Sequence, residues 1–390
     1  MFRINQLHEL LKGLPRGEFD RAVRKHQADK YTKGFGCWDQ FIAMLYAQLS
    51  GVGSLRELES GFNSHRLHHY HLGTDAVRRS TLAEANGRRS TEVFSDIARY
   101  LMTQVGRSLR KDSEDLLYLL DSTSITLKGP GFNDWTLQNR TRRTQGIKLH
   151  VLYAAHEQAP VQFSFTAANV NDVTEGAKLP IEAGATYVFD KGYCDYNWWA
   201  DFDKAGARFV TRFKYNAALQ AEACLLIPND QREVVLEDSL VRFSNPNPGG
   251  KRRNRYTAPL RRIQIARPGL ERPLILATND LESPASVIAQ CYKDRWQIEL
   301  FFKWIKQHLK LKRYLGHSEK AVRTQILCAL ISYLLLALFK ARHCFKGSLW
   351  ELLGIIRATL FQRPEIDDSH YRKRRERRAE MEARQPELFA

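Results

Sequence analysis

Two short apolar segments, each followed by an aspartate, constrain the fold of this chain most strongly. Residues 116–120 read Leu-Leu-Tyr-Leu-Leu and precede Asp121, and residues 185–189 read Ala-Thr-Tyr-Val-Phe and precede Asp190. Short apolar runs rich in aromatic and β-branched residues predict buried strands. A carboxylate at the end of such a run lies at the edge of the core, where open α/β sheets bind ligands. The chain is therefore expected to form an α/β sheet with two carboxylates at one edge.

A third acid follows on a basic segment with helical spacing. Glu299 is spaced from Tyr292, Arg295 and Lys306 so that, at about 100° per residue, all four fall within about a 60° arc of one helix. Lys303 extends the same stripe. A solvated helix with salt bridges between its turns explains a charged stripe taken alone. Together with the two aspartates, however, the stripe predicts a three-carboxylate site for a hard divalent cation, which takes oxygen ligands.

The spacing of these four residues, Tyr-two-Arg-three-Glu-six-Lys, resembles the signature of the DDE transposases of the insertion-sequence-four family. The segment Asp121-Ser122-Thr123 is similar to the block that carries the first aspartate of that family. The segment Asp190-Lys191-Gly192-Tyr193 is similar to the block that carries the second. The matching blocks span about residues 115–345.

The resemblance implies a fold and a set of roles. The fold is α/β: a ribonuclease-H-like mixed sheet flanked by helices, with a β-rich insertion domain and a helical N-terminal domain. The catalytic residues and metal ligands are Asp121, Asp190 and Glu299, holding two Mg²⁺ ions for which Mn²⁺ can substitute. Water cuts at the end of the element, and the freed 3′-hydroxyl then attacks target DNA. Tyr292, Arg295 and Lys306 are expected from the resemblance to bind DNA phosphates, and Lys303 is expected to do so because it extends the same basic stripe.

The spacing of the three acids indicates an insertion. The first two are 69 residues apart (190 − 121), whereas the second and third are 109 apart (299 − 190). Further apolar segments predict strands at 148–155, 161–166 and 208–213. The expected layout begins with a helical N-terminal region at 1–110, whose expected role is DNA-end binding. The catalytic domain is expected in two parts, at 111–214 and 286–345, with a β-rich insertion domain between them at 215–285. A helical C-terminal region with a basic tail is expected at 346–390.

The insertion carries a loop with a dense basic tip. Lys251, Arg252 and Arg253 follow a stretch rich in Pro, Asn and Gly. The resemblance implies that this tip contacts the cut DNA end. A solvated basic loop without a specific partner is the alternative.

The charge balance indicates an acidic partner. The formal net charge is +17, with 60 Lys plus Arg against 43 Asp plus Glu. Double-stranded DNA is the expected partner, both the terminal inverted repeats of the element and the target, because phosphate neutralisation dominates non-specific affinity. A membrane surface is the alternative, but the longest apolar run, Ile326–Phe339, suits a buried helix better than a membrane span.

The expected location is the bacterial cytoplasm, in association with the nucleoid. The first residues lack the apolar stretch of a signal peptide. Six scattered cysteines without a Cys-x-x-Cys pair suit a reducing compartment. A dimer or higher multimer on DNA is expected, because two element ends must be brought together.

Two alternatives to a cut-and-paste transposase stay open at this point. A structure-specific nuclease would keep the fold and change the substrate. A DNA-binding repressor or a domesticated, inactive relative would keep the DNA contacts and lose the chemistry. Inactive relatives commonly lose an acid, whereas this chain keeps Asp121, Asp190 and Glu299.

Overall fold

The structure is a computed structural model that describes residues 5–109, 116–139, 144–248, 253–267, 269, 271–309 and 313–362. The helices of the described residues are α1 (Gln6–Leu11), α2 (Arg16–Lys25), α3 (Cys37–Ser50), α4 (Leu55–Asn63), α5 (His69–Leu72), α6 (Arg79–Arg88), α7 (Glu92–Leu109), α8 (Pro130–Asn133), α9 (Asp172–Gly176), α10 (Tyr196–Lys204), α11 (Ala285–Asp294), α12 (Trp296–His308), α13 (Glu319–Arg342) and α14 (Leu349–Thr359). The strands are β1 (Leu117–Thr126), β2 (Leu137–Gln138), β3 (Gln145–Ala154), β4 (Ala159–Ala167), β5 (Thr186–Phe189), β6 (Arg208–Arg212), β7 (Leu219–Cys224), β8 (Val235–Phe243), β9 (Leu260–Ile265) and β10 (Leu274–Thr278). Single 3₁₀ turns lie at Arg66–His68, Lys191–Tyr193 and Asn229–Gln231.

The chain divides into two compact units. One unit comprises Met1–Leu109 together with Trp304–Ala390, and the other comprises Arg110–Lys303. These units differ from the layout expected from the sequence, because α13 groups with the helical unit and not with the sheet. The five-segment layout, with its expected roles, stays a prediction, whereas the two units follow from packing alone.

Helix α13 forms the core of the helical unit. Its side chains are buried continuously from Thr324 to Phe339, and α7, α3 and α6 pack against it. The Ser318 hydroxyl caps the helix by accepting a hydrogen bond from the backbone N–H of Ala321 at 3.3 Å. By length and composition α13 could cross a membrane, with a mean hydropathy of 1.9, but 94% of its apolar window is buried inside the protein. A helix that is apolar on all sides is expected to be a core helix when protein surrounds it.

The other unit is built on one mixed sheet. Among the described residues, nine of its ten strands run in the order β2-β3-β1-β5-β6-β10-β9-β8-β7, and the tenth, β4, pairs with β3. Strand β1 is antiparallel to β3 and parallel to β5, and β5 is parallel to β6. The strands of the predicted insertion do not form a separate sheet, because β10 pairs with β6 and continues the same ladder through β9, β8 and β7.

Helix α10 covers one face of this sheet and leaves the other face to the acids. The rings of Tyr187 and Phe189 pack against Phe202 at centroid distances of 5.1 and 5.8 Å, and Phe189 also packs against Trp198 at 4.9 Å. Side chains alternate between the faces of a strand. Asp190, the next residue after Phe189, therefore points toward the opposite face, on which α11 contacts β5 and β6.

A buried ion pair ties the outer strands to the start of α11. Arg261 on β9 donates from Nε to Oδ1 of Asp238 on β8 at 2.8 Å, and the two side chains are only 7% and 3% exposed. Nη1 of Arg261 also donates to the backbone carbonyl of Ser283, two residues before α11 begins, at 2.5 Å. This contact fixes where α11 leaves the sheet, and α11 in turn carries Tyr292.

Candidate active site

The parallel pairing of β1 and β5 brings Asp121 and Asp190 side by side. Leu120 pairs with Phe189, and the two aspartates are the next residues on their strands. Asp190 directly follows the end of β5, as expected from the sequence. Asp121 ends its apolar run but not its strand, because β1 stays paired with β3 as far as Thr126. Asp121 lies at the edge of the core because its parallel neighbour β5 stops there.

Arg212 holds the Asp190 carboxylate. The register pairs Thr186 with Arg208, so Asp190 and Arg212 occupy equivalent positions four residues further along β5 and β6. The Arg212 guanidinium forms an ion pair with Asp190, and the Tyr292 hydroxyl donates to the same carboxylate at 3.4 Å. Burial alone would raise the pKa of Asp190, but the hydrogen bond and charge of Arg212 outweigh it and lower the pKa. Asp190 is therefore ionised at neutral pH.

The environment of Asp121 has the opposite effect and raises the pKa of its carboxyl group. Burial raises the pKa of Asp121 to about 6, and the negative charges of Glu299 and Asp190 add to this rise. The backbone N–H of Ser122 donates to Asp121 Oδ1 at 2.8 Å and, together with the charge of Arg295, opposes the rise without cancelling it. Two neighbouring aspartates thus have pKa values that are shifted in opposite directions.

The predicted single helix from Tyr292 to Lys306 is wrong. Helix α11 ends at Asp294, and α12 begins at Trp296. Between them, the backbone N–H of Arg295 bonds to Tyr292 and that of Ile298 bonds to Arg295, both over three residues and at 3.3 Å. These tighter bonds interrupt the 100° periodicity on which the single-face prediction rested.

Arg295 nevertheless joins two of the predicted acids. Its Nη2 lies 2.7 Å from Glu299 Oε1, and its Nη1 lies 3.7 Å from Asp121 Oδ2. The Arg295 side chain is 15% exposed, so water screens these contacts little. The guanidinium also lies over the Tyr292 ring, 5.6 Å from its centroid. Arg295, expected to contact DNA phosphate, is held by carboxylates in this structure.

The three acids fit a divalent cation in their chemistry but are not arranged as ligands. Carboxylate oxygens are the donors that hard divalent cations prefer, and the charges of Asp190 and Glu299 both act on Asp121. Within the described ranges, however, no three Asp, Glu, His or Cys side chains stand close enough together to hold a metal ion. The physical reason is visible in the ion pairs: Arg295 lies between Asp121 and Glu299, and Arg212 holds Asp190.

A second group of polar residues holds Asp121 in place through its neighbour Ser122. The Ser122 hydroxyl donates to Asp172 Oδ1 at 2.8 Å, and Lys148 Nζ lies 2.9 Å from the same oxygen. Lys148 also donates to the carbonyl of Val170 at 2.6 Å, and its side chain is only 9% exposed. His150 Nδ1 lies 4.0 Å from Asp172 Oδ1, and burial lowers the pKa of His150. This network fixes Ser122, whose backbone N–H holds Asp121.

The sequence did not indicate that Arg212 belongs to the site; for Asp172 it predicted a loop cap or a salt bridge, and the ion pair with Lys148 confirms this, but the link to Ser122 was not predicted. A signal for Arg212 was present, since a basic residue lies near the end of the predicted strand at 208–213. This residue can be assigned to the site only when its strand is known to lie parallel to β5 and next to it. Asp172 begins α9, 50 residues after Ser122, and no local pattern links the two.

The remaining predicted DNA contacts lie in different environments. Lys303 is exposed on α12, and Lys306 is half-buried on the same helix but belongs to the helical unit. Arg253 is exposed, and its backbone carbonyl accepts a hydrogen bond from Asn197 Nδ2 at 3.2 Å. Lys251 and Arg252 lie outside the described residues.

Comparison with known protein families identifies the chain's class. Residues 112–335 match the family model described as a transposase DDE domain, which is more than half of the chain. The chain belongs to the DDE transposase family. Residues 4–75 match a second model, described as a domain of unknown function.

Individual relatives agree with this assignment. A putative transposase y4zB of Sinorhizobium fredii is 37% identical over 304 residues, which cover 75% of this chain and 83% of the relative. A probable transposase for insertion sequence element IS5377 of Geobacillus stearothermophilus is 28% identical over 257 residues, covering 64% of this chain and 65% of the relative. A putative transposase for insertion sequence element IS4SA of Synechocystis is 26% identical over 276 residues, covering 68% and 73%.

One solved structure is also similar to the chain. It is the cryo-EM structure of the piggyBac transposase synaptic complex with hairpin DNA, with a TM-score of 0.44 and 11% sequence identity. The match covers 97% of this chain and 83% of that one.

This DDE transposase is an enzyme of DNA cleavage and strand transfer. Its partner is DNA, and a DDE transposase domain generally implies the use of a divalent metal. The expectations of a transposase, of an enzyme and of DNA as the partner are confirmed, and the repressor and inactive-relative alternatives are not favoured.

Proposed function

We propose that this transposase is a member of the insertion-sequence-four group and moves its element by cut-and-paste transposition. The support is the complete spacing of Tyr292, Arg295, Glu299 and Lys306 downstream of two aspartates on neighbouring strands. Water cuts at the element's ends, and the freed 3′-hydroxyl then attacks the target strand.

The catalytic fold in this proposal is ribonuclease-H-like. Its support is the strand order β4-β3-β1-β5-β6, in which β4, β3 and β1 are antiparallel while β5 and β6 run parallel to β1. Strands β7 to β10 are an extension of that sheet from β6. The proposed role of the extension and of its basic tip, with Arg253, is contact with the cut DNA end.

Asp121, Asp190 and Glu299 are the proposed catalytic carboxylates and the residues that would hold the cation. Two Mg²⁺ ions are the proposed cofactor, with Mn²⁺ as a substitute. When bound, the cation supplies water activation and charge stabilisation at the departing oxygen. For the carboxylates to serve as ligands, the Arg295 guanidinium must leave Asp121 and Glu299, and we propose that it then pairs with a DNA phosphate.

The other residues in this proposal bind and orient DNA. Tyr292 is a proposed contact to a DNA phosphate, and in this structure its hydroxyl donates to Asp190, which Arg212 keeps ionised. Lys303 and Lys306 supply mobile positive charges for phosphates along α12. The enzyme acts as a dimer or higher multimer, because two ends must be cut together. Its proposed location is the bacterial cytoplasm, at the nucleoid.

The single observation that carries the proposal is the adjacency of Asp121 and Asp190 in the β1–β5 register, with Glu299 coupled to Asp121. The test is a cleavage and joining assay on DNA that bears the terminal repeats flanking this gene, with Mg²⁺ and with EDTA. Mg²⁺-dependent cutting at the repeat boundary, followed by joining to a target plasmid, is expected. Binding of the repeats without cutting, with Mn²⁺ also tried, would contradict the proposal and favour a repressor. Cutting of branched DNA without regard to the repeats would favour a structure-specific nuclease.

A further inference from the structure

Tyr193 ends the 3₁₀ turn that follows Asp190, and its side chain is buried, with 1% exposed. The ring packs against Phe189 and Trp198, each at a centroid distance of 6.4 Å. It also lies against Gly176 at the end of α9, so closely that a Cβ on Gly176 would stand 2.9 Å from Tyr193 Cδ1. The turn that follows the second aspartate is therefore packed directly on α9.

The hydroxyl of Tyr193 is shielded from solvent and makes no hydrogen bond of good geometry to any described residue. The charges of Asp172 and Asp121 nevertheless act on it, and the Ser122 hydroxyl lies close enough to do so as well. Burial and these two charges raise the pKa of Tyr193 well above its usual value, so the phenol stays protonated and can donate at neutral pH. A buried donor that lacks an acceptor is rare in folded proteins and calls for an explanation.

Ser122 offers this donor an acceptor. Its hydroxyl gives its own proton to Asp172 Oδ1 at 2.8 Å and so keeps lone pairs with which to accept. Asp172 is held in turn by Lys148 Nζ at 2.9 Å. Ser122 follows Asp121 on β1, and successive side chains of a strand point to opposite faces. The Ser122 hydroxyl therefore lies on the face away from the Asp121 carboxylate and acts on it through the backbone of β1.

We infer that Tyr193 is a positioning residue that links the two aspartates through a hydrogen-bond chain, in which its hydroxyl donates to Ser122 Oγ. One end of this chain lies three residues after Asp190. The other end reaches the Ser122 backbone N–H, which donates to Asp121 at 2.8 Å. The chain fixes the spacing of the two carboxylates and thereby their affinity for a divalent cation. That these carboxylates hold a cation rests on the proposed function, whereas the chain rests on the buried side chains.

Mn²⁺ binding, measured from the electron paramagnetic resonance signal of the free ion, tests this inference without any DNA cutting. Replacing a group that contacts a metal ligand but not the metal typically lowers metal affinity about 10–100-fold. Tyr193→Phe keeps the packed ring and loses the hydroxyl, so it is expected to weaken Mn²⁺ binding about tenfold. Wild-type Mn²⁺ affinity in Tyr193→Phe would overturn the inference.

Tyr187→Phe is the matched control for the loss of a buried hydroxyl. Tyr187 is 2% exposed on β5, and its hydroxyl accepts a hydrogen bond from the backbone N–H of Glu182 at 2.9 Å. A purely structural loss of this kind changes stability and not cation affinity, so the control is expected to bind Mn²⁺ like the wild type. An equal loss of affinity in Tyr187→Phe and Tyr193→Phe would show that the hydroxyl of Tyr193 has no special role and would overturn the inference.

A double variant tests whether Tyr193 and Ser122 act in one chain. Ser122→Ala removes the hydroxyl that would accept from Tyr193, and it is expected to weaken Mn²⁺ binding by about the same factor as Tyr193→Phe. Because either change breaks the chain, the double variant is expected to bind Mn²⁺ no more weakly than the single variants do. Losses of affinity that multiply in the double variant would show that the two residues act independently, which would overturn the chain.

Hydrogen exchange in EDTA tests the chain when no cation is bound. Exchange is followed by mass spectrometry in residues 119–124, which surround Ser122, and in β8 as an internal reference. Tyr193→Phe is expected to exchange several times faster than the wild type in residues 119–124 relative to β8, because the chain holds this part of β1. Tyr187→Phe is expected to leave that ratio unchanged. Far-ultraviolet circular dichroism of each variant checks that folding is retained.

These outcomes separate the chain from the proposed function. If the wild type neither cuts repeat ends nor binds Mn²⁺, but exchange in residues 119–124 is faster in Tyr193→Phe, the proposed function fails and the chain stands. If the wild type cuts repeat ends and binds Mn²⁺, but Tyr193→Phe equals it in Mn²⁺ affinity and in hydrogen exchange, the inference fails and the proposed function stands.

Discussion

The guanidinium of Arg295 lies 2.7 Å from the carboxylate of Glu299, one helical turn further along the chain. The same guanidinium reaches toward Asp121 at 3.7 Å, so one positive charge serves two acids from different parts of the fold. The protein therefore supplies its own counter-charge to carboxylates that would otherwise repel each other. A metal cation can therefore bind these acids only if it displaces the Arg295 guanidinium.

Removing this counter-charge has a predicted effect on stability and on ion binding. Arg295→Met leaves Asp121 and Glu299 without their shared partner, so the unfolding free energy in EDTA is expected to fall by about 2 kcal/mol. The variant is also expected to gain more stability from added Ca²⁺ than the wild type does, because no guanidinium competes with the ion. Thermal unfolding with EDTA and with Ca²⁺ measures both effects.

The matched control for this variant is Arg88→Met. Arg88 also pairs with a glutamate four residues away, but the two side chains are 78% and 61% exposed. Such a surface pair contributes little, so this variant is expected to unfold like the wild type in both buffers. A Ca²⁺ response of Arg295→Met no larger than that of the wild type would contradict the competition between guanidinium and ion.

The raised pKa of Asp121 predicts a pH-dependent gain in stability on its replacement. The pKa rises from 3.8 to about 6, so the folded protein binds this proton more tightly than the unfolded chain does. Stability from the protonated carboxyl is complete below 3.8 and is lost as the pH rises through about 6. At neutral pH the ionised carboxylate costs at most about 3 kcal/mol, because each tenfold change in proton affinity corresponds to ~1.4 kcal/mol.

Asp121→Asn, which carries no charge at any pH, is therefore expected to be more stable than the wild type in EDTA at about pH 7 and nearly equal to it at about pH 4. Urea unfolding at the two pH values measures the difference. Equal stability at neutral pH, or a difference that grows on acidification, would show that the environment of Asp121 does not disfavour its charge.

The sequence predicted the parts of the site that depend on local patterns. Asp190 could be placed because a short apolar run directly precedes it, and that run forms β5. The single helical face could not be placed correctly, because the backbone turn at Arg295 replaces the regular helical bonding there. Nothing in the pattern of charges from Tyr292 to Lys306 distinguishes one continuous helix from two consecutive helices.

The parts that the sequence missed depend on long-range pairing. Arg212 reaches Asp190 only because β6 lies beside β5 in parallel, and parallel neighbours are joined by connections that leave no local register signal. Similarly, the predicted insertion was recognised as strand-rich, but its pairing with β6 was not foreseen. Which edge a new strand joins depends on packing and not on its own alternation of apolar residues.

The Asp172 network predicts a strong coupling between the buried Lys148 and the partly buried Asp172. Asp172→Asn leaves the Lys148 ammonium, 9% exposed, without a carboxylate, so a loss of about 3–5 kcal/mol in unfolding free energy is expected. Lys148→Met alone is expected to cost less, and adding it to Asp172→Asn is expected to recover most of the loss. Urea unfolding of the two single variants and the double variant gives the coupling energy.

A coupling energy near zero would show that Lys148 and Asp172 do not act as a pair. The exposed pair Arg88–Glu84 is the control, since its side chains are 78% and 61% exposed and its coupling is expected to stay below about 1 kcal/mol.

If Asp121, Asp190 and Glu299 carry the chemistry, loss of Glu299 must remove cutting and leave DNA binding, and one comparison on helix α12 measures both. Glu299→Ala and Gln297→Ala are each assayed for Mg²⁺-dependent cutting of repeat-end DNA and, separately, for binding of that DNA. Glu299→Ala is expected to bind the ends but not to cut them, while Gln297→Ala, two residues away on the same helix, is expected to cut at the wild-type rate. Cutting by Glu299→Ala at the wild-type rate would contradict the assignment of the site.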